Sequence, residues 1–116
     1  MFIKLNHKSL DVYKAIRELT KEVYALSMNL PSEEKFNMVQ QMRRAALSVK
    51  LNLAEGSTRK SVNERKRYFE VSRGSVVEID AVFETAVDLK YFKEDELKVI
   101  AELLNKCFAM LSNMIK

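Results

Sequence analysis

The sequence has very few residues that interrupt or cross-link a chain, with two glycines, one proline and one cysteine among 116 residues. Turns draw heavily on glycine and proline, so this scarcity excludes a fold of many short strands and favours a few long helices. The single cysteine, Cys107, excludes an intramolecular disulfide. Because Cys107 falls on an apolar stripe, we predict a small core residue rather than a reactive thiol.

Residues that bind metals or carry acid–base catalysis are scarce as well. His7 is the only histidine, and it lies outside the predicted helical core. Di-iron bundles need Glu-x-x-His pairs and zinc sites need clustered cysteine or histidine, so both classes are excluded. Neither a Gly-x-x-x-x-Gly-Lys phosphate loop nor a Gly-x-Gly-x-x-Gly motif occurs. We therefore expect no enzymatic activity, no metal and no cofactor.

Long apolar runs are absent too. None approaches the ~18 residues that a helix needs to cross a bilayer, and residues 1–8 lack the apolar centre of a signal peptide. Hydrophobic residues nevertheless make up 47% of the chain and charged residues 31%, as in globular domains. The sequence thus predicts one cytoplasmic domain over residues 1–116, with a single core and no membrane partner.

Apolar residues recur at alternating steps of three and four in four segments of the chain. This spacing predicts amphipathic helices over residues 9–29, 38–55, 62–90 and 94–115. The connections between them are short and polar, which makes consecutive helices antiparallel neighbours. The expected fold is therefore all-α, an antiparallel up-down-up-down four-helix bundle.

Four residues carry predictions about local helix geometry. Asn37 and Ser61 are expected to be N-caps of the second and third helices, each with a glutamine or glutamate three residues later to complete a capping box. Gly56 is expected just after the second helix, where a glycine adopts positive φ without strain. Gly74 lies within the third helix and costs about 1 kcal/mol relative to alanine, which predicts that another backbone packs closely against it.

The net charge of +4 is unevenly distributed along the chain. Residues 35–73 hold ten basic residues against three glutamates, a net charge of +7, and the remainder carries −3. A basic middle between acidic ends indicates a surface for a polyanion, although a solvated helical face gives the same pattern. The candidate nucleic-acid-binding residues are Arg43, Arg44, Lys50, Arg59, Lys60, Arg65, Lys66 and Arg67.

Several polar residues interrupt the apolar stripes of the second and third helices. An inward-facing asparagine must find partners or cost on the order of 1–3 kcal/mol. In hairpin geometry these residues form a network that fixes the register of helices or subunits, or alternatively one that contacts a ligand. The candidates for this polar network or interface are Asn52, Glu55, Arg73, Ser75 and Glu78.

Several segments carry a family resemblance that extends over nearly the whole chain. Residues 43–49 (RRAALSV) and 52–56 (NLAEG), followed by Arg59, resemble the signature of the four-helix-bundle proteins encoded in 23S ribosomal RNA intervening sequences. Residues 73–75 (RGS) with Glu78 are similar to the family's third-helix motif. The sequence departs from the family pattern at two positions, where the family commonly has isoleucine in place of Leu53 and tryptophan near Tyr13. Neither departure changes the expected fold.

The resemblance implies a left-handed bundle that assembles as a ring-like homopentamer. It also implies similarity to the accessory proteins of diversity-generating retroelements, which partner a reverse transcriptase and nucleic acid. The leading hypothesis is thus an oligomeric bundle that binds RNA or DNA by shape and charge, since no exposed aromatic platform is evident. The rival is a scaffold for a protein partner, favoured by the six methionines, which suit adaptable apolar surfaces.

Overall fold

The computed structural model describes residues 2–116 and contains four α-helices. Three short 3-10 turns, Asn6–Ser9, Ser32–Glu34 and Glu94–Leu97, precede α1, α2 and α4. No strand occurs in the described residues, so the all-α, four-helix prediction is confirmed. The helices are α1 (Asp11–Ser27), α2 (Met38–Ser57), α3 (Val62–Asp88) and α4 (Lys98–Ile115).

Each helix buries one apolar stripe in a common core. Helix α1 packs on α2 and α4, and α3 packs on the same two helices. The contacts between α2 and α3 run in opposite order, since Ser72 contacts Val49 whereas Tyr68 lies beside Gly56. Helices α2 and α3 are therefore antiparallel, and the topology and handedness of the whole bundle stay predictions. Ile16, Leu19, Met42, Leu53, Ile79, Ile100 and Leu111 are fully buried.

Cys107 is one of the core residues of α4 and has no exposed surface. Burial raises the pKa of its thiol to about 11, because a thiolate loses more solvation than a thiol in an apolar environment. At neutral pH the side chain is therefore protonated and unreactive, as expected of a small core residue.

Helices α2 and α3 approach each other closely where residues 48–56 of α2 meet residues 68–75 of α3. The buried Ser72 hydroxyl donates to the Val49 carbonyl at 2.7 Å, and the Ser75 hydroxyl donates to Ser48 Oγ at 2.8 Å. At the turn end of the pair, Gly56 leaves no room for a side chain against Tyr68 and the Phe69 ring. Small residues thus allow the two backbones to meet, and serine hydroxyls fix their register.

The structure corrects three predictions about local geometry. Gly56 is not the residue after α2, because the helix continues to Ser57 and Gly56 has no positive φ. Asn37 does not cap α2 with its side chain, which donates instead to Glu34 Oε1 at 3.1 Å. Gly74 has open space around it rather than a neighbouring backbone. By contrast, Ser61 is the N-cap of α3, since its hydroxyl accepts from the Glu64 backbone N–H at 3.3 Å.

His7 is buried, although the sequence places it outside the helical stripes. Its ring lies edge-on to Tyr13, with 5.0 Å between centroids. Burial, together with the neighbouring Lys8, lowers the pKa of His7. The first turn of the chain is therefore packed against α1 through a neutral imidazole.

No helix in residues 2–116 combines the length and apolarity required to span a bilayer.

The two glycines provide a matched pair that tests the close contact between α2 and α3. A Cβ at Gly56 would lie 2.7 Å from Tyr68 Cβ and 2.9 Å from Phe69 Cε1, whereas one at Gly74 meets nothing within 4 Å. Gly56→Ala should lower the free energy of unfolding by about 1–2 kcal/mol, because strain exceeds the gain in helix propensity. Gly74→Ala should raise it by about 0.5–1 kcal/mol. Urea denaturation measures both values, and equal gains in the two variants would contradict the close contact.

Candidate nucleic-acid interface

Five of the eight basic candidates surround the turn between α2 and α3. Helix α2 ends at Ser57, and the Ser61 cap starts α3 four residues later, so the turn holds Arg59 and Lys60 close to the first two turns of α3. We call this set the basic tip: Arg59, Lys60, Arg65, Lys66 and Arg67.

The basic tip is open to solvent. Lys60, Arg65 and Arg67 are exposed and Lys66 is half-buried. None of these four cations forms an ion pair within residues 2–116. Lys116 joins them, since it lines the same shallow depression as Arg65 and Lys66. The positive end of the α3 dipole points to the same surface, so the tip presents several unpaired positive charges at one end of the bundle.

Arg59 differs from the rest of the tip because the fold already engages its guanidinium. Nη2 donates to Glu55 Oε2 at 2.9 Å and to the Tyr68 hydroxyl at 3.0 Å, and the guanidinium lies 5.0 Å from the Tyr68 ring centroid. The hydrogen bond to Tyr68, together with the negative charge of Glu55, raises the pKa of Arg59. Arg59 thus holds the turn against α3 and adds charge to the tip from a fixed position.

The other three basic candidates lie away from the tip, on α2. Arg43 stacks on the Tyr24 ring at 4.8 Å and its Nε donates to Ser27 Oγ at 2.8 Å. Lys50 lies 5.9 Å from the Tyr13 ring centroid. Both side chains therefore join α2 to α1. Arg44 is exposed, but it is thirteen residues before the end of α2, roughly 20 Å from the turn at 1.5 Å per residue. The structure does not bring all eight residues into one surface.

The five polar candidates are divided among separate contacts. Asn52 donates to the Ser48 carbonyl and hydroxyl on its own helix, and Ser75 donates to the same Ser48 hydroxyl from α3. Glu55 pairs with Arg59 in the turn. Arg73 instead donates to Ser112 Oγ at 3.1 Å and lies 5.6 Å from the Phe108 ring centroid on α4. Glu78 is exposed and has no side-chain partner among the described residues. The single network of Arg73, Asn52 and Glu55 is therefore not formed.

Sequence reasoning overlooked the residues that make these contacts possible. Ser72 is fully buried and holds α3 to α2, and Ser27 is buried beneath Arg43. Ser72 stands three residues after Phe69 and four before Val76, so its position on the apolar stripe was a readable signal. The partner of Arg43 was not readable, because the pairing depends on the register between α1 and α2.

Three phenylalanine side chains are exposed, and none of them belongs to the basic tip; Phe2, which precedes the first 3-10 turn, is the most exposed. Phe36 is exposed just before α2, at the opposite end of the bundle from the α2–α3 turn, with Lys35 Nζ 5.5 Å from its ring centroid. Phe108 is partly exposed in the middle of α4, beside Arg73. None of the five tip residues is aromatic, and the neighbouring Tyr68 ring lies under the Arg59 guanidinium.

The charges of the two ends of the bundle are opposite in sign. Residues 59–67 hold five cations and Glu64, a net +4, whereas residues 80–96 hold six carboxylates and two lysines, a net −4. Arg67 and Asp88 are separated by roughly 30 Å along α3, well beyond the Debye length of ~8 Å at physiological salt. The two ends therefore act as independent surfaces.

No group of three or more potential ligands is arranged to hold a metal ion in residues 2–116.

The neighbours Arg43 and Arg44 test which cations are structural. Arg43→Gln removes a stacked, hydrogen-bonded guanidinium and should lower the free energy of unfolding by about 1–2 kcal/mol. Arg44→Gln makes the same change of charge on an exposed, unpartnered side chain and should change stability by less than about 0.5 kcal/mol. Thermal and urea unfolding compare the two variants, and similar losses in both would remove the distinction.

Comparisons with known proteins agree with this fold. No curated protein matches the chain. Among solved structures, it is similar to a protein of unknown function from the S23 ribosomal protein family of Bacteroides thetaiotaomicron VPI-5482, with a TM-score of 0.82. The two sequences are 20% identical, over 90% of this chain and 98% of that chain, so this likeness shows the fold alone. The profile of one family matches residues 8–113. The chain belongs to the 23S rRNA-intervening sequence protein family.

Proposed function

We propose that this chain is a non-enzymatic nucleic-acid-binding protein whose binding surface is the basic tip. The observation that carries the proposal is the convergence of Lys60, Arg65, Lys66 and Arg67 at one end of the bundle without ion-pair partners among the described residues. Charges left unpaired by the fold are available to phosphates. The family name refers to ribosomal RNA, which makes RNA the first ligand to test.

Binding at this surface would be driven by the phosphate backbone rather than by the bases. Each lysine or arginine that contacts a phosphate releases a condensed counterion, so affinity should fall steeply with salt. The tip charges should also favour a nucleic acid of matching shape, because their positions are fixed: Arg59 anchors the turn to Tyr68 and Ser61 caps α3. Since none of the five residues of the basic tip is aromatic, weak base preference is expected.

We also propose that the chain assembles into a homo-oligomer, for which the family resemblance favours a pentamer. Leu47 and Leu51 support this proposal, since they are exposed one turn apart on the side of α2 that faces away from the core. Val71 of α3 is exposed as well. An assembly would bury these apolar side chains and would present several basic tips to one nucleic acid, which increases avidity.

The tip is tested by charge reversal against a matched control. The variant Lys60→Glu/Arg65→Glu/Arg67→Glu should lose RNA affinity by on the order of tenfold or more at low salt, because three phosphate contacts become repulsive. The control Lys93→Glu/Lys98→Glu/Lys106→Glu makes the same change of net charge with three exposed lysines outside the tip and should bind as the unmodified protein does. Fluorescence anisotropy of a labelled RNA hairpin across a salt series measures both.

The salt series gives a second readout of the same claim. The slope of log affinity against log salt should become shallower by roughly 0.7–0.9 for each contact removed in a single tip variant such as Arg65→Gln. A flat titration at low salt with the unmodified protein would remove the proposal, and equal losses in both charge-reversal variants would show attraction by net charge alone.

Assembly is tested by molar mass. The chain has a mass of 13.5 kDa, and light scattering at tens of micromolar should report about five times that value. Leu47→Glu/Leu51→Glu should dissociate the assembly, because it would bury charge at an apolar contact. Leu89→Glu/Val99→Glu is the control, since Leu89 directly after α3 and Val99 on α4 are similarly exposed away from α2. A monomer in the unmodified protein would contradict the proposal.

A further inference from the structure

The end of the bundle opposite to the basic tip carries a groove with an apolar floor and an acidic rim. It runs between the C-terminal half of α3 and the N-terminal half of α4. Phe83, Ile100 and Leu104 lie deep in its floor, and Ala101 is exposed along it. We call it the acidic groove, and its rim carboxylates are Asp80, Glu84, Asp88 and Glu94.

The rim carboxylates have no partners within the fold. None of the four forms an ion pair or a side-chain hydrogen bond among residues 2–116. Asp80, Glu84 and Asp88 recur every fourth residue, so they form a row along one side of α3 with steps of ~6 Å. The only cation on the lining is Lys98 of α4. Like charges along a helix repel one another, and a cationic ligand would relieve that repulsion.

The groove continues toward the middle of the bundle as an apolar surface. Val77 and Phe108 line this part, with 52% and 42% of their surfaces exposed. Arg73 lies 5.6 Å from the Phe108 ring and marks the end of the apolar path. From Val77 to Asp88 the groove is roughly 16 Å long, which is about three helical turns.

We propose that the acidic groove binds a basic amphipathic helix of a partner protein. A helix satisfies its own backbone hydrogen bonds, whereas an extended peptide on this apolar floor would bury unpaired N–H and C=O groups. Leucine-like side chains at i, i+3, i+4 and i+7 fill the floor. On the neighbouring stripe of the same helix, lysines or arginines at positions j, j+4 and j+8 rise in the same ~6 Å steps as Asp80, Glu84 and Asp88. Phosphate is repelled by this rim, so nucleic acid and partner helix occupy opposite ends of the bundle.

The test uses a synthetic probe whose chemistry is defined. The probe is a fluorescein-labelled 14-residue peptide of leucine, lysine and alanine, with its leucines and lysines placed on two adjacent helical stripes. A second peptide has the same composition in shuffled order, so that no stripe forms. Anisotropy at low salt should show binding of the patterned peptide at least fivefold tighter than binding of the shuffled one.

Variants of the groove locate the binding site. Glu84→Gln/Asp88→Asn removes two rim charges at nearly constant shape and should lower the affinity for the patterned peptide at least fivefold. Ala101→Arg places a cation in the floor and should abolish binding. The matched control is Glu22→Gln/Glu102→Gln, which removes two carboxylates from the groove between α1 and α4 and should change affinity less than twofold. If Ala101→Arg fails to fold, the nearly isosteric variant Glu84→Gln/Asp88→Asn still shows whether the peptide binds in the acidic groove.

The remaining outcomes overturn the proposal. Equal binding of both peptides, or equal losses in the rim and control variants, would show adsorption by charge alone. If the unmodified protein assembles, and if Ala101→Arg or the patterned peptide dissociates it in light scattering, the occupant of the groove is a second copy of the chain. RNA binding is measured in parallel and should be unchanged by Glu84→Gln/Asp88→Asn, so failure of the groove proposal is distinguishable from failure at the basic tip.

Discussion

The close contact of α2 with α3 is the constraint on which the rest of the structure depends. Gly56 lets the two backbones meet beside Tyr68 and Phe69, and the buried Ser72 hydroxyl bonds to the Val49 carbonyl from across the interface. One position requires the absence of a side chain and the other requires a hydroxyl of the right length. Together they define a single register for the pair, and the remaining helices pack their apolar stripes against it.

That register determines where the charges lie. It brings α2 to an end beside the start of α3, so Lys60, Arg65 and Arg67 gather around one turn. Other cations are used within the fold, where Arg43 and Arg59 stack on tyrosines and hold neighbouring segments together. The acidic residues of α3 lie at its far end, roughly 30 Å away. A long antiparallel hairpin thus separates a surface suited to phosphates from one suited to a basic helix.

The periodicity of apolar residues was sufficient to predict the fold class, because a stripe at steps of three and four has few alternatives to an amphipathic helix. Contacts between helices were harder to predict from the sequence. Gly56 was assigned to a helix end since glycine is common there, and only the packing shows that close approach is its role. The eight basic candidates were grouped by sequence, whereas the structure separates Arg43, Arg44 and Lys50 from the tip. The contacts of these residues depend on the register between helices, which cannot be read from the residues around any one position.

Chemical-shift mapping distinguishes the cations that hold the fold together from those that bind the ligand. Isotope-labelled protein would be titrated with an RNA hairpin at low salt, and backbone amide shifts followed by relaxation-optimised NMR. If RNA binds the basic tip, the perturbations should be confined to residues 58–70 and 113–116, with Arg43, Lys50 and the acidic groove unchanged. Perturbations centred on Arg44 or on residues 80–96, or no perturbation at saturating RNA, would contradict binding at the basic tip.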